Sequence, residues 1–161
     1  MQRNKGIFNV NVNSDKNNSK SKKNIDEIIN TIKNELTDSI HPYVLNDLNP
    51  HQIQQIKKKL LIDKEYKIKT YKQGRDIKVK IFPLGNLKRF AEQKAQEVLM
   101  KGEKIKLPHM GAFERFIIHD YLKSRNGIKT KSFGKEGKDR SIQIYPLFGR
   151  KPKKAKKKLT I

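Results

Sequence analysis

Between residues 24 and 146 the apolar side chains change their period from one stretch to the next, and this constrains the fold more than any single residue does. Ile25, Ile28, Ile29, Ile32, Leu36 and Ile40 recur at helical spacing. Asn49-Pro50 then has the order of an N-cap followed by proline at the first helical position, with Ile53, Ile56, Leu60 and Leu61 as the apolar stripe. Over 65–82 the period drops to two. Tyr66, Ile68 and Thr70 alternate with Glu65, Lys67 and Lys69; Ile77, Val79 and Ile81 alternate with Lys78 and Lys80. The connection Lys72-Gln73-Gly74-Arg75 supplies a turn glycine, which predicts a hairpin whose outward face is lysine. Helical spacing returns with Leu87, Phe90, Ala91, Ala95, Val98 and Leu99, and Gly102 stops it. A short strand over 104–107 ends at Pro108.

Pro108-His109-Met110-Gly111 introduces a further helix, 112–123, followed after Asn126-Gly127 by strands over 128–133 and 140–145. A long turn, Gly134-Lys135-Glu136-Gly137-Lys138-Asp139, joins the two strands. This order predicts an α+β fold: a small antiparallel or mixed sheet covered on one face by helices, with a helical N-terminal region and basic tails. At 100° per residue Arg115, His119 and Lys123 lie along one side of the 112–123 helix. Arg115 and His119 are expected at the surface. Phe113, Ile117 and Tyr121 are expected to face the core. Phe116 borders the basic stripe and is read first as core, with a stacking platform as its functional alternative.

Charge divides the chain further. Lys+Arg number 38 against 16 Asp+Glu, a net +22 over 161 residues. Hydrophobic content is 34%, below the roughly 45–50% usual for globular chains, so only part of the length can build a core. Residues 1–23 form a basic, Asn-rich arm and 147–161 a tail with seven basic groups and no acid. A polyanionic partner is the leading expectation, and a small-molecule substrate is disfavoured. The first helix, with Asp26, Glu27, Glu35 and Asp38, is the one acidic element and is expected to pack on protein. Zero Cys excludes disulfides, thiolate zinc sites and cysteine nucleophiles. No run of about 18 apolar residues could span a membrane, and the first residues lack the apolar stretch of a secretory signal. The expected location is cytoplasmic.

Glu114-Arg115-Phe116-Ile117-Ile118-His119 carries an Arg-x-x-x-His signature. Leu107-Pro108-x-Met110 precedes it, and Thr130-x-Ser132-x-Gly134 and Arg140-Ser141-Ile142-Gln143-Ile144 follow it. Together they resemble the R3H domain of bacterial Jag-type KH–R3H proteins, over roughly residues 77–146. The resemblance implies a small module that binds single-stranded nucleic acid, with Arg115 and His119 as its hallmark pair. It also divides the chain into an arm (1–23), a helical and hairpin region (24–76), an R3H-like domain (77–146) and a tail (147–161). A KH domain grips nucleic-acid backbone with a Gly-x-x-Gly loop between helices. The only Gly-x-x-Gly here, Gly134–Gly137, falls in the last turn, so region 24–76 is either a degenerate KH-like fold or something unrelated.

The chemistry of the residues agrees with a binding role. Arg115 offers a planar fork for phosphate oxygens, and His119 one turn on can donate to phosphate or stack on a base. Lys123, Arg140 and the tail residues Arg150, Lys151, Lys153 and Lys154 complete the candidate nucleic-acid contacts. Catalysis is not expected. His119 and its neighbours Asp120 and Glu114 point in different directions on a helix, and His41, His51, His109 and His119 have no metal-ligand spacing. No metal or cofactor is expected. The reading is a non-catalytic binder of single-stranded nucleic acid, RNA before DNA, the RNA preference resting on the Jag resemblance alone. The alternative is a structural or assembly component of a ribonucleoprotein such as the ribosome.

Deleting residues 150–158 should weaken binding to all strand sequences alike and flatten the salt dependence, by about 0.7 in log–log slope for each phosphate no longer neutralised. Titrations at several salt concentrations measure this, and a change in sequence preference would mean instead that the tail reads bases.

Overall fold

In the computed structural model, which describes residues 24–148, the first helix begins where the sequence supplies a cap. Asn24 Oδ1 accepts from the Asp26 amide at 3.2 Å, and Asp26 and Glu27 sit at the positive end of the dipole of α1 (Ile25–Glu35). The helix stops five residues short of Ile40. The carbonyls of Leu36, Thr37 and Ser39 are taken by the Asn86 side-chain amide, at 2.6, 3.1 and 2.9 Å, instead of by a further helical turn. A short strand, β1 (Tyr43–Asn46), follows. Then comes α2 (Pro50–Leu60), closed by a reciprocal cap: Asn49 Oδ1 accepts from the Gln52 amide at 2.8 Å, and Gln52 Oε1 from the Asn49 amide at 3.0 Å. Pro50 occupies the first turn as expected.

The hairpin forms as β2 (Tyr66–Gln73) and β3 (Asp76–Pro83), and β1 joins it to give an antiparallel sheet in the order β1-β3-β2. The division read after residue 76 falls just inside β3, and the preceding region holds two helices and hairpin strand β2, as read, together with the short β1. Helix α3 (Leu84–Lys101) follows β3 without a linker. It starts three residues earlier than its apolar spacing suggests, because the Gly85 amide donates to the Glu65 carbonyl at 3.1 Å. It ends at Gly102, in the left-handed region at φ 68°. Next come β4 (Ile105–Lys106), α4 (Ala112–Leu122), β5 (Ile128–Phe133) and β6 (Ser141–Pro146), with sheet order β4-β6-β5, all antiparallel. The α+β class expected from the sequence is the class observed, in the form of two three-stranded sheets.

Among the described residues each sheet builds its core against helices on one face, and on the other face of the first sheet α4 covers only Phe82. In the first core Ile28 and Ile32 of α1, Leu36 just after it, and Ile56 and Leu60 of α2 close over Val79 and Ile81. In the second Leu87, Ala91, Ala95 and Val98 of α3 and Ile118 and Leu122 of α4 close over Ile128, Ile142 and Ile144. Full burial of each such Ile or Leu contributes about 1.5–3 kcal/mol. The inward face of α4 differs from the expectation. Ile118 and Leu122 are buried, whereas Phe113 and Ile117 are half-buried and Tyr121 is exposed. The second sheet meets the line of Ile118, Leu122 and the stem of Arg115, leaving Phe113 to pack sideways against Phe82 of β3. Their rings cross edge to face at 4.6 Å.

Phe82–Phe113 and the Asn86 bridge join the two cores. No helix among the described residues is long and apolar enough to cross a membrane. Asn86→Ala leaves three carbonyls at the end of α1 without this donor and should destabilise the fold by about 1–3 kcal/mol. Equilibrium urea unfolding measures it, and a loss below about 0.5 kcal/mol would show that water replaces the amide freely.

Candidate functional site

The α4 signature is built around a buried cation. Arg115 is 6% exposed, and both of its terminal guanidinium nitrogens are hydrogen-bonded. Nη1 donates to the Met110 carbonyl at 2.7 Å, and Nη2 donates to Glu136 Oε1 and Oε2 at 2.8 and 2.7 Å. This corrects the expectation that Arg115 lies open at the surface. A guanidinium removed from water needs acceptors to offset desolvation, and the loop before α4 and the turn after β5 supply them. Substituting Arg115 therefore disturbs the fold before it disturbs a ligand contact.

Glu136 itself is exposed and sits in the turn between β5 and β6. The turn is shaped by Gly134, at φ 97°, where a Cβ would come within 2.8 Å of the Asp139 carbonyl oxygen. Asp139 Oδ1 closes it by accepting from the Lys135 amide at 2.8 Å. Arg140 reaches the same carboxylate, its Nε 3.6 Å from Glu136 Oε2. The Arg115 hydrogen bond first, then the charges of Arg115, Arg140 and His109, hold the Glu136 carboxyl below its ordinary pKa.

His119 is half-buried one turn along α4. Its Nδ1 lies 2.6 Å from Thr130 Oγ1 and its Nε2 2.8 Å from Ser132 Oγ. A neutral imidazole donates through one nitrogen and accepts through the other, and the two hydroxyls of β5 can take the complementary roles. Burial, then the charges of Arg115 and Arg140, push its pKa below the ordinary imidazole value.

The site thus brings together Arg115, His119 and Arg140. Lys123 caps the C-terminal end of α4, exposed and paired with Asp120 Oδ1 at 2.6 Å. Arg150, Lys151, Lys153 and Lys154 lie outside the described residues. Phe116, read first as core, is 58% exposed and stacks at 6.2 Å on Phe113. Sequence reasoning missed Glu136, Thr130 and Ser132 as partners of the pair. Thr130-x-Ser132 carried a usable signal, because two hydroxyls at period two share one face of a strand. Glu136 carried less, being one of two acids in a turn that also holds two lysines.

Residues 85–146, less than half of the chain, match the family model of the R3H domain. The R3H domain is generally a module that binds single-stranded RNA or DNA. No curated protein and no solved structure matches the chain.

The depressed pKa of His119 makes stability depend on pH in a defined direction. The unfolded chain takes up this proton near pH 6.5 and the folded chain only at lower pH, so folding opposes protonation. Stability due to this group is fully present above about pH 6.5 and is lost as pH falls from there toward the folded pKa. Denaturation midpoints at pH 7.5 and 5.5 should therefore separate more for the wild type than for His119→Gln. Equal separations would remove His119 as the cause.

Proposed function

We propose that the R3H domain of residues 85–146 binds single-stranded nucleic acid, RNA before DNA, without catalysing a reaction on it. The observation that carries this is the family match over a segment in which Arg115 and His119 are locked together on α4, within a chain of net charge +22. The preference for RNA rests on the resemblance to Jag-type KH–R3H proteins. Binding cytoplasmic transcripts in a bacterium would follow from it.

The division of labour among the residues follows from their exposure. Arg115 is a positioning residue. By tying Met110 to Glu136 it fixes the entrance of α4 against the β5–β6 turn. Lys123 and the partly exposed Arg140 are the groups left to meet phosphate oxygens. Phe116 offers a base a ring to stack on, an interaction worth about 1–3 kcal/mol per base. His119 presents an imidazole held in one orientation by Thr130 and Ser132. The basic tail adds phosphate contacts that carry no sequence information. The alternative, a ribonucleoprotein component, draws on the basic extensions at both ends. Co-migration with a ribosomal subunit through high salt would favour it.

Fluorescence anisotropy with matched RNA, DNA and duplex oligonucleotides tests the main reading. Single strands should bind more tightly than duplex, and RNA more tightly than DNA. Lys123→Ala with Arg140→Ala should lower affinity and flatten the salt slope by about 1.4, as two phosphates go without a cation, while circular dichroism stays unchanged. Unchanged affinity in that double variant would remove these residues from the site.

A further inference from the structure

The face of the first sheet that points away from its core is lysine and aromatic rather than polar and mixed. Strand pairing sets the pattern. Lys67 lies opposite Phe82, Lys69 opposite Lys80, and Tyr71 opposite Lys78. These residues alternate with Ile68, Val79 and Ile81, which belong to the core, so period two places them together on the other side. Among the described residues only the Phe82 end of that side is covered, by Phe113 of α4. Tyr71 is 42% exposed there. Among the described residues Lys67, Lys69, Lys78 and Lys80 enter no ion pair, although several lysines elsewhere pair with acids. Asp76, at the far end of the hairpin opposite Gln73, is the one acid that shares the register of this face.

The face does not stop at the sheet edge. Lys69 Nζ sits 3.7 Å from the centre of the Phe113 ring, and Phe113 carries the exposed Phe116 at 6.2 Å. At the other end Lys80 Nζ lies 5.4 Å from the centre of the Tyr71 ring. Rings therefore flank the facing pair Lys80 and Lys69, with Tyr71 at one end and Phe113 and Phe116 of α4 at the other. A run of unpaired like charges on a sheet face is costly by itself. A polyanion removes that repulsion, and the exposed rings of Tyr71 and Phe116 on either side of the charges suit unpaired bases.

We propose that a single strand of nucleic acid lies along this uncovered face of β2 and β3 and continues over Phe116 onto the R3H domain. The lysines hold its phosphates, and Tyr71 and Phe116 stack two of its bases. A duplex is a poor occupant because its bases are already stacked and cannot reach the rings. The inference rests on the nucleic-acid reading of the R3H domain and extends its footprint to residues that the family match does not include.

Binding of the full chain to a labelled single strand of about 15 nucleotides, within the range of known single-strand site sizes, provides the test. Lys69→Gln with Lys80→Gln should flatten the salt slope by about 1.4. Tyr71→Ala should weaken binding at least about fivefold, the low end for removing the ring beneath a stacked base, and Tyr71→Phe should restore it. Tyr71 is exposed and Lys69 and Lys80 are half-buried, and the circular dichroism of each variant should match the wild type. Wild-type affinity and slope in these variants, with weakened binding in the Lys123→Ala, Arg140→Ala protein, would overturn this inference and leave the R3H reading standing. Failure of the wild-type chain to bind the strand at all would overturn both.

Discussion

A guanidinium taken out of water demands acceptors, and the second half of the molecule is arranged around meeting that demand for Arg115. One carbonyl comes from Met110, immediately before α4, and two carboxylate oxygens come from Glu136, beyond the first strand that follows it. The approach to α4, α4 itself and a turn 21 residues further on are thereby set against one another. The imidazole of His119, one turn further along α4, inherits its place from that arrangement and is clamped by two hydroxyls of β5. A charge buried with good partners is weak evidence of net stabilisation but strong evidence of a defined local geometry. The hallmark pair of the signature acts accordingly: it defines a surface more than it forms one.

The elements legible in the sequence are those whose signals are local. The capping residues Asn49 and Pro50, the turn at Gly74 and the stop at Gly102 each act within a few residues, and the structure uses each of them as expected. What escapes depends on distant partners. β1 is four residues long, with too few positions to show a period, and exists because β3 pairs with it. The inward face of α4 is not legible because a helix with Phe113, Phe116, Ile117, Ile118, Tyr121 and Leu122 is apolar nearly all round, and only its neighbours decide which side is covered. Arg115 reads as exposed because a lone arginine in a sequence ordinarily is. The acid that makes its burial tolerable lies 21 residues away.

Charge is distributed with some separation of tasks. Acids are concentrated on or near α1, where Asp26 and Asp63 pair with Lys59 and Lys33, so the first helix is tied into its own half of the molecule. Lysines crowd the opposite side of the first sheet, where none is paired among the described residues. The first sheet thus has an apolar side sealed by helices and a cationic side on which α4 covers only the Phe82 end. This asymmetry follows from an alternating strand pattern whose second register is filled with lysine.

The direct passage from β3 into α3 has a consequence for how the two halves hold together. Pro83 ends a strand of one core and Leu84 begins the longest helix of the other, so no slack chain separates them. Phe82 and Asn86 lie on either side of that junction, and both reach across it, one to a ring of α4 and the other to the end of α1. A fragment cut at residue 85 would keep the whole matched segment and yet bare the flank of Phe113. The edge of the family match and the edge of the packing therefore do not coincide, since Phe113 inside the matched segment rests on Phe82 outside it.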